Sequence, residues 1–500
     1  MNRPDQRTRS DLSVVDLFSG CGGLSLGFAW AGFDVAAAIE HDPLAAATHH
    51  RNFDPAAWKI PGGIQDSCAQ DVLTVDPEKL LEEKLGGRHP DVIVGGPPCQ
   101  AFARVGRAKL RSIAQKNGAP GEEADTAHLL DERAGLGHRY LDFVEVLQPR
   151  ALLMENVPDM ASPGGGKHPV SELCERLESL GYTASFTLLN AAHQGVPQFR
   201  ERLFILAFRG DDVPDGAREE WWPEPLCDVR IPAGYKGIRA VARGAALRLR
   251  DRRFVDRDAN EDMPLFGRPS PRGTVPPTDA RSALGDLPVI DPGALGHGPR
   301  AVSPSPEDPP YRCSTPSAYA QLMRELRPPG ARGRTLAADR VSAHVTRYLP
   351  RDFRTFANMH PGQDYVGAVF GASDGGCAQV KSVREVALSI GAEPPPYPEH
   401  MFPNKWWKLC AELPVKTLTA HIGKDTYSHI HYEQGRTISV REAARLQSFP
   451  DSFRFEGGMN TAFRMIGNAV PPLMAYAIAR RVRKKLTGRA RPDLRKALAP

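Results

Sequence analysis

Between Ser13 and about Phe208, short apolar runs alternate with amphipathic stretches, and no other feature of the chain limits the fold as strongly. Strand and helix in repetition read as β-α-β units around a sheet, an α/β fold with a doubly wound, mostly parallel sheet. The predicted strands are Val14–Phe18, Asp34–Ile39, Asp91–Val94, Ala151–Met154, Ala184–Leu189 and Leu203–Phe208. Helices are predicted from about Leu24 to Ala31, from Pro43 onward, over Tyr140–Leu147, and over Val170–Leu180 with Gly181 as the stop.

In open α/β sheets ligands bind off the carboxyl ends of the strands. The first strand is followed by Ser19-Gly20-Cys21-Gly22-Gly23-Leu24, the second by Glu40, the third by Gly95-Gly96-Pro97-Pro98-Cys99-Gln100, and the fourth by Glu155-Asn156-Val157. All the chemically sharp features therefore fall on one edge, which predicts a shared active site. The glycine loop departs from a dinucleotide fingerprint, because Ser25 stands where G-x-G-x-x-G needs its third glycine. It suits either a tight strand-to-helix turn alone or a cofactor cradle. Glu40, placed to pair with the hydroxyls of a ribose, favours an adenosine-containing cofactor.

Regular alternation is lost from about Gly210 to Gly435, and residues 263–312 are dense in proline and glycine. A second, irregular domain is expected there. Arg347-Tyr348 and Lys405-Trp406-Trp407-Lys408 mix bases with aromatics, as a nucleic-acid surface does, or as a Trp pair in a small core would. Regularity returns with the capping box Ser439-Val440-Arg441-Glu442, a helix Val440–Gln447, the expected turn Gly467–Pro471 and a closing helix of about Pro472–Val482. The predicted organisation is thus 1–209 and 436–483 as one catalytic body, 210–435 between them, and 484–500 as a basic tail. From Arg480 on, nine cations face one acid, Asp493, a run that either neutralises phosphates or is simply solvated.

With 41% hydrophobic residues the chain has ample core, but no run nears the roughly 18–20 apolar residues that span a membrane. The amino-terminal stretch also lacks a signal peptide's apolar core, so a cytoplasmic protein without membrane association is expected. The eight cysteines form no C-x-x-C pair, which argues against a zinc knuckle and a disulfide framework; no metal is expected.

A thiolate adds readily to an electron-poor double bond, and a carboxylic acid of raised pKa creates such a bond by protonating a ring nitrogen. Cys99 and Glu155 therefore suit addition to C6 of a pyrimidine with protonation at N3 of cytosine, which makes C5 able to attack a methyl sulfonium. At these residues the chain resembles the cytosine-C5 DNA methyltransferase family, over nearly its whole length. Asp16–Leu24 resembles the family's first motif, Pro97-Pro98-Cys99-Gln100 its nucleophile loop, Glu155-Asn156-Val157 its acid motif and Gln198-Phe199-Arg200-Glu201-Arg202 its Q-x-R-x-R motif. Arg441–Gln447 and Gly467–Pro472 resemble the last two, and Asp279–Pro288 and Lys416–Ala420 resemble pieces that bracket a target recognition domain.

The resemblance implies Cys99 as nucleophile, Glu155 as acid, and Arg200 and Arg202 as the residues that steady the target base. It implies S-adenosylmethionine held by Phe18, Gly20, Cys21, Gly22, Gly23, Leu24, Glu40, His41, Asp71, Val72, Pro97, Asn468 and Val470. Duplex DNA is the implied partner, contacted by Gln100, Arg104, Arg107 and Thr417, with the base flipped out and the loop after Gln100, bearing also Lys109 and Arg111, closing over it. Restriction-modification, alongside a restriction endonuclease, and a monomer at the nucleoid are the further expectations. One departure is Ala103, where many relatives carry serine. The rival readings are the same chemistry on transfer RNA, a non-catalytic DNA-binding regulator, and an NAD-dependent oxidoreductase.

Overall fold

A computed structural model describes residues 12–54, 69–98, 135–161, 168–229, 251–256, 275–290, 301–302, 308–313, 315–331, 340–370, 378–398 and 405–498. Its main sheet has seven strands: β1 (Ser13–Leu17), β2 (Asp34–Ile39), β3 (Val92–Gly95), β4 (Ala151–Asn156), β5 (Tyr182–Asn190), β7 (Glu201–Arg209) and β8 (Phe254–Val255). The spatial order is β2-β1-β3-β4-β7-β5-β8. β2 and β3 flank β1, both parallel to it, so the winding reverses between β1 and β3 and opens a crevice at their carboxyl ends. β4 continues the parallel run.

β7 breaks it, lying antiparallel to both β4 and β5. The cause is the connection: β5 runs into a single 3-10 turn, Ala191–Gln194, and the two-residue β6 (Gln198–Phe199), too little chain for the crossover a parallel neighbour needs.

Alternate residues of each strand feed two cores. Val14, Val92, Val94, Leu153 and Leu206 point to one face of the sheet, and Val15, Ile93, Leu152, Met154 and Ile205 to the other. The first face is covered by α1 (Gly23–Ala31) and α2 (Pro43–Phe53), and the second by α3 (Leu136–Leu147) and α4 (Pro169–Ser179). Burial on both faces explains why the strands read as continuous apolar runs.

The chain returns to the first face through α5 (Val440–Leu446), α6 (Met459–Asn468) and α7 (Pro472–Thr487). Gly467 and Asn468, expected in a turn, form the end of α6. Gly467 is held there by close packing, since an added Cβ would lie 2.3 Å from the Thr419 carbonyl oxygen. α7 packs backbone to backbone on α1: a Cβ on Gly27 would meet Ala475 Cβ at 2.4 Å and the Tyr476 nitrogen at 2.5 Å. The capping box of α5 forms as read, with Glu442 also held by Arg436 at 2.7 and 2.8 Å. Arg445 is buried with Asp286 and Asp451, tying the segment Ala280–Leu284 and its flank to α5.

Part of the basic run from Arg480 onward packs on its own chain, while Lys484, Arg489 and Lys496 are exposed. Arg483 donates to the Gly32 carbonyl at 2.9 Å and Arg480 to that of Arg491 at 2.8 Å. Arg495 is buried, pairing with Asp493 and donating to Gln194 Oε1 at 2.5 Å. Leu498 ends against Gly195. These cations find carbonyls and carboxylates of their own chain, so residues 489–498 strap the back of the catalytic body.

A separate small core gathers Phe356, Met359, Tyr365, Val383, Trp406 and Ile430. The boundary drawn at Gly210 does not coincide with the break between cores, because Trp221 and Trp222 are buried in the catalytic one. Of the Lys405–Lys408 cluster, Trp406, Trp407 and Lys408 belong to the interior, and Lys405 is half-buried. Trp406 is fully buried and donates to the Tyr397 hydroxyl at 2.7 Å, Trp407 is 6% exposed, and Lys408 is spent on the Phe356 carbonyl at 2.7 Å. Arg347 likewise donates to Ile422 and Gly423 carbonyls. Among the described residues no helix is long and apolar enough to cross a membrane.

Replacing Gly27 by Val should overpack the α1–α7 contact and lower stability by about 1–3 kcal/mol. Urea unfolding should show a lower midpoint at unchanged slope; an unchanged midpoint would mean that the helices do not meet at Gly27.

Candidate active site

The carboxyl ends of β1 to β4 bring the predicted features to one edge. At the first, Phe18 adopts a left-handed conformation, φ 59°, which is costly for an aromatic residue and turns the chain sharply out of the sheet. The glycines that follow have different tasks. A Cβ on Gly22 (φ 100°) would lie 2.6 Å from the Phe53 ring, and one on Gly23 would lie 2.2 Å from the Val470 carbonyl oxygen. These two glycines are required by packing. Gly20 faces open space, with nothing within 4 Å of the Cβ it lacks, while its N–H donates to Glu40 Oε2 at 2.9 Å.

The cofactor set read from the sequence therefore divides. Phe18, Gly20, Glu40, His41, Asp71, Pro97 and Asn468 stand along the edge, although Pro97 is itself buried. The Cys21 side chain points inward, 2% exposed, with Sγ 3.8 Å from the Met465 carbonyl oxygen. Leu24, Val72 and Val470 are also core residues. Their apolar side chains belong to the two hydrophobic clusters, so only their backbone atoms remain to meet a ligand.

Glu40 is fixed by its neighbours: Oε1 accepts from the Asp42 N–H at 2.8 Å and lies 3.0 Å from His41 Nδ1. Its own carbonyl accepts from the Gln70 N–H at 2.8 Å, which brings Asp71 beside it. A cavity of ≈ 440 Å³ is lined by Ser19, Glu40, Ala36, Ala38, His49 and Phe53, among others. Ser19 Oγ is buried there without a hydrogen-bond partner among the described residues. A carboxylate with free lone pairs and an unspent hydroxyl fit the polar end of a nucleoside-bearing ligand.

Sequence reasoning missed the support beneath this loop. Ser25 donates its N–H (3.1 Å) and its hydroxyl (2.5 Å) to Asp16 Oδ2, and its Oγ lies 2.9 Å from His49 Nε2. Burial pushes the Asp16 carboxyl up to about 7 and His49 down to about 3. The signal was visible as Ser25 in the place of a third glycine.

On the neighbouring strands, Gly95 lets β3 approach β1, since a Cβ there would sit 2.4 Å from the Leu17 carbonyl oxygen. Gly96 lies close enough to Glu155 that an added Cβ would be 3.0 Å from Oε2. Asn156 Nδ2 donates to the Pro97 carbonyl at 3.2 Å and so anchors the proline pair. Cys99, Gln100, Arg104, Arg107, Lys109 and Arg111 lie outside the described residues.

Glu155 ends β4 half-buried, with Oε1 2.9 Å from Arg202 Nε. Desolvation raises its pKa above the ordinary carboxylate value, and the nearby Arg202 and Arg200 charges hold the rise in check. The two arginines differ in role. Arg202 is half-buried and touches the acid, but Arg200 is 1% exposed and donates to the carbonyls of Leu418 (2.6 Å), Gly467 (3.1 Å) and Asn468 (3.4 Å). Arg200 thus faces the interior. Thr417 also turns inward, its hydroxyl donating to the Phe199 carbonyl at 2.7 Å where β9 (Val415–Lys416) pairs with β6.

Residues 12–232 and 379–484 match the profile of the C-5 cytosine-specific DNA methylases. The chain belongs to this family. It is a DNA (cytosine-5-)-methyltransferase by that membership. It is 34% identical over 489 residues to M.OihORF3336P of Oceanobacillus iheyensis, assigned as a type II methyltransferase, covering 95% of this chain and 96% of that one. It is 30% identical over 505 residues to the type II methyltransferase M.AgeI of Thalassovita gelatinovora, covering 94% and 99%. Among solved structures, an E. coli prophage protein assigned as a DNA modification methyltransferase shares the fold, with TM-score 0.56, 21% identity and 96% and 100% coverage. The two blocks matched by the methylase profile meet in space through α1 on α7 and β6 on β9, so the family's core is one body split in sequence.

A carboxyl whose folded pKa is raised contributes stability that is full below its ordinary pKa and lost as pH rises through the folded one. Arg202→Met removes the cation opposing that rise, so Glu155 should titrate at still higher pH. Carbon-13 NMR of the labelled carboxyl reads the midpoint; an unmoved midpoint would refute the electrostatic pairing.

Proposed function

We propose that the protein methylates C5 of cytosine within one short context in duplex DNA, through covalent addition of Cys99 to C6 of a base turned out of the helix. The observation that carries this is the Glu155–Arg202 pair at the end of β4, against Gly96 and the anchored Pro97-Pro98 that leads into Cys99. In this reading the Cys99 thiolate forms a bond to C6 while the Glu155 proton passes to N3, and electron density accumulates on C5. Arg202 keeps the acid oriented through Nε, while Nη1 donates to the Glu201 carbonyl at 2.6 Å and so fixes the guanidinium.

S-adenosylmethionine, held by Gly20, Ser19, Glu40 and the Asp71 segment, supplies when bound the electrophilic methyl group that C5 takes up. Loss of the C5 proton to solvent and breakage of the S–C6 bond then free Cys99, and return of the N3 proton to the Glu155 carboxylate restores the acid. Turning the base out costs a few kcal/mol, which contacts from the recognition segment offset. The type II relatives support a further reading, that the enzyme marks host DNA against a partner restriction endonuclease. Action in the cytoplasm, on the nucleoid, follows from that role.

Plasmid from cells making the wild type should carry 5-methylcytosine in one context by bisulfite sequencing, and plasmid from cells making Cys99→Ala should carry none. Glu155→Gln should lower methyl transfer by about 10²–10⁴-fold. S-adenosylhomocysteine, but not NAD, should raise the melting temperature. Methylation of RNA in place of duplex DNA, or methylation surviving in Cys99→Ala, would overturn the proposal.

A further inference from the structure

The strand that carries Arg202 and the loop that carries Gly20 serve different substrates in the proposed reaction, yet an unbroken series of buried contacts joins them. At one end stands Gln198, on β6, which leads directly into the strand that carries Arg202. Its Oε1 accepts from the Leu418 N–H at 2.8 Å, and its Nε2 donates to the Leu446 carbonyl at 3.1 Å and to Gln447 Oε1 at 2.5 Å. Gln447 in turn donates from Nε2 to the Ala469 carbonyl at 2.5 Å. Arg200 grips the adjacent carbonyls of Gly467 and Asn468.

The segment 467–470 touches the cofactor loop through backbone. The Val470 carbonyl fills the space where Gly23 has no Cβ, and Gly467 gives its own missing Cβ to Thr419. Close approaches on both sides leave 467–470 no room to move alone. Gln447 is fully buried, and both ends of its amide are occupied, so it acts as a rigid strut.

We propose that Gln447 is a positioning residue that couples the cofactor pocket to the base-holding strand. Filling the pocket beside Gly20 and Glu40 tightens binding of duplex DNA beside Arg202, and DNA tightens cofactor binding by the same factor, as linkage requires. The inference rests on the function proposed above, and the shared element through which both sites act is the segment 467–470.

The test measures S-adenosylhomocysteine affinity by calorimetry, with and without a duplex carrying the context that the wild type methylates in the plasmid. Wild type should bind it several-fold more tightly with DNA present, within the roughly 5–150-fold range of such couplings. In Gln447→Leu that ratio should fall to about one, while affinity without DNA stays within about threefold of wild type. Tyr319→Phe removes another buried hydrogen bond to α5, from Tyr319 to the Arg445 carbonyl, and should keep the wild-type ratio. If Gln447→Leu does not fold, Gln447→Glu, which keeps the acceptor for Gln198 and alters the donor to Ala469, should show a reduced ratio.

A ratio preserved in the folded Gln447 variant, an equal loss in Tyr319→Phe, or no coupling in the wild type would overturn the proposal. A wild type that methylates no DNA would instead overturn the function on which it rests, and is seen before any ratio is measured.

Discussion

A guanidinium with almost no access to water sits at the centre of this structure. Arg200 keeps its charge in the interior because backbone carbonyls from Leu418, Gly467 and Asn468 take its donors. Hydrogen bonds to a charged group contribute about 1.5–3 kcal/mol each, and an uncompensated buried cation costs far more. The arrangement is therefore nearly all or none. The chain leaving the small core at Leu418, the end of α6 and the strand after Gln198 must all arrive together. Everything at the strand ends presupposes that meeting.

Around this joint the protein divides its labour. The sheet, apolar on both faces, supplies rigidity, and its winding reversal supplies a crevice. Polar chemistry beneath the crevice holds the loops: Asp16, Ser25 and His49 under the glycine turn, Asn156 under the proline pair. Ionic chemistry sits further back, where Arg445 with Asp286 and Asp451, and Arg436 with Glu442, fix α5. Buried ion pairs add little net stability compared with an apolar core, yet removing one partner is severe, about 3–5 kcal/mol. They define which segments meet α5 more than how strongly.

Much of this was legible in the sequence. Six strands were read within a few residues, and the clustering of Gly20, Glu40, Pro97 and Glu155 at one edge followed from listing what comes after each strand. Periodicity reports which face of a segment is buried, and carboxyl ends follow from direction alone. The identity of a partner does not follow. A cation in a sequence looks the same whether its donors end on phosphate or in solvent, the readings left open for the tail, or on carbonyls, as found for Arg347 and Arg483. The inward partners of Arg200 and Thr417 were not legible for the same reason: they come from segments far away in the chain. The tryptophans at 406 and 407 left two readings open because amphipathic aromatics suit both surfaces and small cores, and burial decided between them. The antiparallel β7 depended on the shortness of a turn, which hydrophobic pattern does not weigh.

The catalytic body is assembled from the two ends of the polypeptide, and this bears on its birth. The larger core stays incomplete until α7 has been made and can pack on α1. At about 5–20 residues per second, the interval between completion of β7 and emergence of α7 is on the order of tens of seconds. Throughout that time α1 of the nascent chain lacks the helix that packs against it at Gly27. A ribosome stalled or aborted between residues 210 and 435 therefore releases a chain without the Val470 carbonyl that packs on Gly23, so the glycine loop gains its backing only in chains translated through α7.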